Sequence, residues 1–322
     1  MRRSVLVKRL PIIVGIGLIA LLVFGAAIGP IVSKDEPYLE KPGVHLPAQA
    51  IFPSDARLES SKGNILGWTG IAITNSMLSS WVTSIVLLAL FVAAAAKKKL
   101  VPGRLQGSVE AIVEGLLGFT ESMVGREMGR KFLPVIATIF LFVLFNAWMG
   151  LLPIYPSLGW DPTESTINES AHGDSGHHTP SRVDLLRPAG TDVNMPLALA
   201  LVSFVFVEFW GIRRLGLGYF GKFVRVKGLF RGPKYWFAGA IDAFVGILEG
   251  LSEVIRLVSF TFRLFGNMLA GKILILISAF LVPFVFSVPF YGLEILVGFI
   301  QAMIFAGLTL TFATLAITHH DE

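Results

Sequence analysis

Residues 235–281 read YWFAGAIDAFVGILEGLSEVIRLVSFTFRLFGNMLAGKILILISAFL, with no proline between Tyr235 and Leu281. A helix of that length rises roughly 70 Å, about twice the hydrocarbon core of a bilayer. Such a helix cannot simply cross upright. It must bend, tilt steeply or run partly in the interface. Pro283 and Pro289 then mark a turn, and Phe290–Thr318 form a second long apolar stretch that brings the chain back. The chain therefore ends in a long, tilted two-helix membrane hairpin over about 235–318.

Composition agrees with a membrane setting. Of 322 residues, 54% are hydrophobic and 15% charged, with a mean hydropathy of +0.71. Soluble domains carry about 25% charged residues. There is no cysteine, which excludes disulfides, thiolate metal sites and cysteine nucleophiles. The net charge of +5 gathers in loops, where it reports orientation rather than nucleic-acid binding.

Upstream of the hairpin, apolar runs long enough to span are expected at Leu10–Val32, Gly63–Ala96, Phe132–Leu152 and Asn194–Ile212, the last containing Glu208. The first run follows the basic start MRRSVLVKR and reads as an uncleaved anchor or as a secretory signal; it is longer than a usual signal core. Ser33–Lys62 and Tyr155–Gly190 read as loops, and Trp68 and Trp81 as interfacial residues opening the second span. Between the second and third spans, Leu105, Val109, Ile112, Leu116, Met123 and Met128 recur at helical spacing, with Glu110, Glu114 and Glu121 on another face. That pattern predicts an amphipathic helix over about 104–131, lying on the membrane surface or packed on protein. The fold class is all-α, polytopic, with about five to six transmembrane helices. Residues 1–72 form an N-terminal anchor and extracytoplasmic loop, and 73–322 the main domain. The basic clusters at 2–9, 97–104 and 213–234 share one side, expected to be cytoplasmic. Even numbers of crossings between them satisfy this, and the hairpin returns the C-terminus to that side.

The chemistry gathers in the hairpin. Arg263 carries a permanent charge, which at membrane depth costs at least ~2.5–3.5 kcal/mol. Residues seven apart on a helix are offset by only about 20°. Glu249, Arg256 and Arg263 therefore form one polar stripe, and Asn267 lies near it. On the returning helix Glu294 and Gln301 form a second stripe. Two apolar helices that each carry a polar line are what an ion path through a membrane requires; the alternative is structural ion pairing between helices. Lys272, nine residues past Arg263, falls on the opposite side of the helix. It either snorkels to an interface or pairs with Glu294.

Other patterns carry little. GNMLAGKI at 266–273 approaches a phosphate loop but has Ile273 where a hydroxyl is needed and no preceding strand, so no nucleotide is expected on this chain. His172, His177 and His178 lack metal-ligand spacing. Asn168 fits a glycosylation acceptor by pattern alone. No cofactor, metal or independent catalytic site is expected.

VSFTFRLFGNMLAGK at 258–272 closely resembles the signature of subunit a of bacterial F-type ATP synthases. LVPGRLQ (100–106), GLLP (150–153), TDVN (191–194), ILEG (247–250) and IQAMIFAGLT (300–309) look like family segments in the same order. Together they cover about 75–318. The resemblance implies a non-catalytic, proton-translocating stator subunit in the bacterial cell membrane. Its implied partners are a rotating ring of c subunits, each with a membrane carboxylate, the b-subunit peripheral stalk and the rest of the complex. Arg263 matches the family's essential arginine between two half-channels. Glu249, Asn267, Glu294 and Gln301 match positions of the channels or of the arginine's surroundings, with Arg256 and Lys272 as supporting charges. Lys272 departs from the family, where that position is often glutamate or histidine. A lysine is a poor relay unless strongly desolvated, which favours a Lys272–Glu294 pair. A self-contained secondary transporter is the alternative. It would bring internal repeats and broken helices, and the long unbroken helix argues against it.

Overall fold

A computed structural model describes residues 50–52, 73–96, 103–152, 155, 158–160, 183–216, 236–281 and 287–317. The expected span at 10–32, Trp68, the three histidines and Asn168 lie outside these residues.

Among the described residues there are six α-helices: α1 (Asn75–Ala96), α2 (Arg104–Val124), α3 (Arg126–Gly150), α4 (Asn194–Leu215), α5 (Trp236–Leu281) and α6 (Ser287–Ile317). All but α2 are long and apolar enough to cross a membrane. The protein is thus an all-α, multi-pass membrane protein. Two short antiparallel pairings interrupt the segments expected to be loops or span: β1 (Ala50–Phe52) with β2 (Ile73–Thr74), and β3 (Gly159–Trp160) with β4 (Val183–Asp184). A 3-10 turn covers Ala189–Thr191.

The helix ends differ from the expected ones for local reasons. α1 begins at Asn75, because the Thr74 hydroxyl accepts the Met77 N–H at 3.3 Å and caps the first turn. The amphipathic helix expected over 104–131 stops at Val124. Gly125 has φ 84° and ψ 164°, a backbone region that residues with a Cβ rarely enter. The chain reverses there, Met128 belongs to α3, and the third span starts at Arg126 rather than Phe132. Past the turn, Gly129 comes so close to α2 that a Cβ on it would meet the Glu121 Cα at 2.9 Å. α2 packs along α3 through Leu116 and Thr120, while Leu105, Ile112 and Met123 stay exposed. The last helix begins at Ser287 instead of Phe290; Pro289 fits its first turn, where a missing N–H costs nothing.

The turn at Gly125 is open to test. Gly125→Ala meets no atom within 4 Å, so its cost is conformational alone, about 1–3 kcal/mol. It is expected to lower the thermal midpoint of the purified protein. Gly118→Ala, equally unhindered but inside α2, should leave the midpoint unchanged or raise it. Equal behaviour of the two variants would refute the role given to Gly125.

The chain divides into two compact units. The larger comprises 46–268 and 297–322 and holds the core. That core runs along α3 (Phe132, Ile136, Ile139, Phe140, Val143, Leu144) and meets Phe206 of α4, Phe260 and Leu264 of α5, and Phe305 and Leu310 of α6. Lipid tails are as apolar as these side chains, so close packing rather than water exclusion has to hold the helices together. α6 supplies it with small residues every fourth position: Gly298, Ala302 and Ala306 are all buried. A Cβ on Gly298 would stand 2.9 Å from the Ala147 Cβ of α3. The smaller unit comprises 1–45, outside the described residues, and 269–296, which contain the end of α5 and the start of α6.

Candidate functional site

The part of α5 within the larger unit has two faces. Glu253, Phe260, Leu264 and Met268 are buried at intervals of seven and four, the spacing of one helix stripe. Ile255, Ser259, Phe262, Arg263 and Gly266 are exposed on the other side. Arg263 makes no hydrogen bond or ion pair with the described residues. Around it Ser259 and Gly266 are small, and a Cβ built on Gly266 meets nothing within 4 Å. The costliest charge in the chain therefore stands on an open apolar face with room beside it.

Asn267, one turn on, reaches back to α6. Its Nδ2 donates to the Gln301 Oε1 at 2.9 Å. Gln301 is buried, and its Nε2 has no hydrogen-bond partner among the described residues. A buried unmet donor costs about 1–3 kcal/mol, so this amide is a ready donor to water or to an incoming oxygen.

The three charges of the predicted stripe share a helix register but not an environment. Arg256 turns inward. Its Nη1 lies 2.7 Å from the Glu253 Oε2, and its guanidinium carbon stands 3.7 Å above the Phe312 ring of α6. Glu249 is half-buried, and the Ser252 hydroxyl donates to its backbone carbonyl at 2.8 Å. Glu253, which the sequence reading passed over, is the more buried carboxylate. Its signal was the i,i+3 spacing to Arg256.

In the smaller unit Glu294 is buried. Its carboxylate occupies the space a Cβ on Gly271 would need, so the glycine at 271 makes room for it. Lys272 is half-buried beside that glycine. GNMLAGKI lies inside α5 and therefore presents none of the free backbone N–H groups of a phosphate loop.

A second polar cluster was not foreseen. In the larger unit the Ser76 hydroxyl donates to the Asp192 Oδ2 at 2.7 Å, and the Ser79 hydroxyl to the Tyr155 Oη at 3.0 Å. Arg187 is buried and donates through Nε to the Thr191 Oγ1 at 2.8 Å. Ser76, Ser79 and Thr83 step along one face of α1, a periodicity visible in the sequence. Tyr155 comes from the segment read as a loop, Asp192 from just beyond it, and the Thr83 hydroxyl meets Asn146 of α3 at 3.4 Å, so nothing local announced these partners. These hydroxyls and Asp192 tie α1 to the start of α4. Among the described residues no group of three His, Asp or Glu could hold a metal.

Residues 77–314 match the family model described as ATP synthase A chain. The chain is 31% identical to an ATP synthase subunit a of Gloeobacter violaceus over 77% of this chain and 85% of that protein. It is also 31% identical to the ATP synthase subunit a of Mycobacterium marinum, over 83% of this chain and 96% of the relative.

Proposed function

This chain belongs to the ATP synthase A chain family, subunit a of F-type ATP synthases, and we propose that it carries protons past Arg263 to drive rotation of a c-subunit ring. The observation that carries this is the exposed Arg263 on an open face of α5, without a hydrogen bond or ion pair to the described residues. A charge at membrane depth with no such partner around it calls for one from another chain. A carboxylate on a passing helix is the partner that fits, because the small residues Ser259 and Gly266 let such a helix come close.

The work of Arg263 is electrostatic. At about 4 Å a guanidinium and a carboxylate attract by about 4 kcal/mol at an effective dielectric of ~20. That is a factor of about 10³ in favour of the ionised carboxylate. An arriving protonated carboxylate thus gives up its proton before it passes. The freed charge then moves on and takes a proton from the other side. Because an arginine keeps its own proton, it also denies protons a direct route between the two sides.

Glu249 and Arg256 lie toward the basic, cytoplasmic end of α5, and Glu294 and Lys272 beyond Arg263, toward the turn of the hairpin. We assign Glu249 to one half-channel and Glu294 to the other, with Asn267 and Gln301 surrounding the arginine. The chain itself performs no bond chemistry and binds no nucleotide. It stands in the bacterial cell membrane with its C-terminus cytoplasmic, against the c ring and the b-subunit stalk.

Lys272 and Glu294 are proposed to pair. Removing both side chains should then harm ATP synthesis less than removing either, since one alone leaves an uncompensated charge at depth. Additive losses in the double-mutant cycle would rule the pair out. The ion path as a whole is tested by Arg263→Ala, taken up below.

A further inference from the structure

Two contacts join α5 to α6 on either side of Arg263, and they belong to one register. Arg256 and Asn267 are eleven residues apart on α5; their partners Phe312 and Gln301 are eleven apart on α6, running the opposite way. Arg263 lies between these ties and makes no hydrogen bond or ion pair with the described residues that would hold its direction.

We propose that Arg256 is a positioning residue: braced by Glu253 and seated over the Phe312 ring, it sets the rotation of α5 and so aims Arg263 at its open face. The proposal rests on the ion-path function given above for Arg263. The need for such a device follows from the surroundings. Between apolar helices in lipid, most side chains gain as much from lipid tails as from each other. Packing of that kind leaves the rotation of a helix weakly defined, and directional contacts decide it. A 20° turn of a helix whose side chains reach ~6 Å from the axis moves the guanidinium about 2 Å. Displacements of about 1 Å can cost a reacting group ~10²-fold in rate.

The brace has two parts with different tasks. The Arg256–Glu253 pair is internal to α5, an i,i+3 contact at 2.7 Å. It holds the guanidinium in one place and compensates the buried Glu253 carboxylate. The link to α6 is the stack on Phe312 at 3.7 Å. Phe312 is in turn held by Phe260, with ring centroids 5.9 Å apart, and Phe260 packs on Phe305 at 5.0 Å. A planar guanidinium can lie on a ring in this way; the ammonium of lysine offers no such plane.

Arg256→Ala would remove the cation beside the buried Glu253 and threaten folding, so the decisive variants are milder. Phe312→Leu keeps the ion pair and an apolar side chain but removes the ring. Arg256→Lys keeps the charge but not the stack. Each is compared with the parent and with Arg263→Ala in vesicles carrying the whole ATP synthase, normalised to assembled complex. Coupled ATP synthesis and, with ADP left out, passive proton leak are both measured. Phe312→Leu and Arg256→Lys are expected to lower synthesis about fivefold, the scale of one partly desolvated cation–π contact, while raising the leak. A loss of packing alone moves both in the same direction; a misdirected Arg263 moves them apart. Unchanged rates, or synthesis and leak falling together, overturn the positioning role while leaving Arg263 as assigned. Normal synthesis in Arg263→Ala overturns the ion-path function beneath it.

Discussion

Arg263→Ala is expected to cut proton-driven ATP synthesis about 10³-fold, the factor that follows from losing about 4 kcal/mol of attraction for a carboxylate. The complex should still assemble. Arg263 is exposed and ties down nothing in the described structure, so its removal leaves no cavity and no unmet donor. Relieving an arginine of its place at membrane depth even removes a cost of at least ~2.5 kcal/mol. Arg263→Lys separates charge from shape. A lysine keeps a positive charge but can lose its proton when desolvated, so it should recover only a small part of the activity and should leak protons. The measurement is ATP synthesis in vesicles energised by a pH gradient, with the assembled subunits quantified alongside. Coupled synthesis at the parental rate in Arg263→Ala would end the central proposal.

Gly271→Ala addresses the other carboxylate. A methyl group at 271 needs the space that the Glu294 carboxylate fills. The end of a glutamate side chain is flexible, so the expected response is a shifted Glu294 rather than a broken fold. If Glu294 serves a half-channel, synthesis should fall by about tenfold, ~1.4 kcal/mol of barrier, with thermal stability little changed. Gly266→Ala is the control, since its Cβ meets nothing within 4 Å. Equal activity of the two variants would show that the position of Glu294 does not matter to transport. Loss of stability in Gly271→Ala without loss of specific activity would show that the glycine serves packing alone.

Much of this architecture was open to reading before any coordinates. α5 runs from Trp236 to Leu281, one residue from the expected start, because a long stretch without proline in a membrane has few alternatives to a helix. The spans α3 and α4 were placed to within a turn or two at their ends. The misplaced break at Gly125 has a single cause. The apolar spacing through Met128 continues the helical period, and periodicity is blind to one glycine taking a positive φ. The short pairings β1–β2 and β3–β4 join segments far apart in sequence, which no local pattern reports.

The site divides along the same line. That Arg263, Asn267, Glu294 and Gln301 are expensive groups was legible, because a charge or an amide in an apolar helix is costly wherever it lies. Cost identifies a residue but not the direction in which it points. Glu249, Arg256 and Arg263 share a stripe by the 3.6-residue period, yet Arg256 turns inward to Glu253 and Phe312 while Arg263 faces outward. The separation between them is only about 20° around the axis, too little for periodicity to resolve; the neighbouring helix decides it. Composition and spacing alone thus determined an all-α membrane protein, its long hairpin and its few expensive polar groups, since the bilayer acts on each segment separately. Which of those groups are paired among the described residues and which faces outward was decided only by tertiary packing, since that depends on what α6 places opposite each turn of α5.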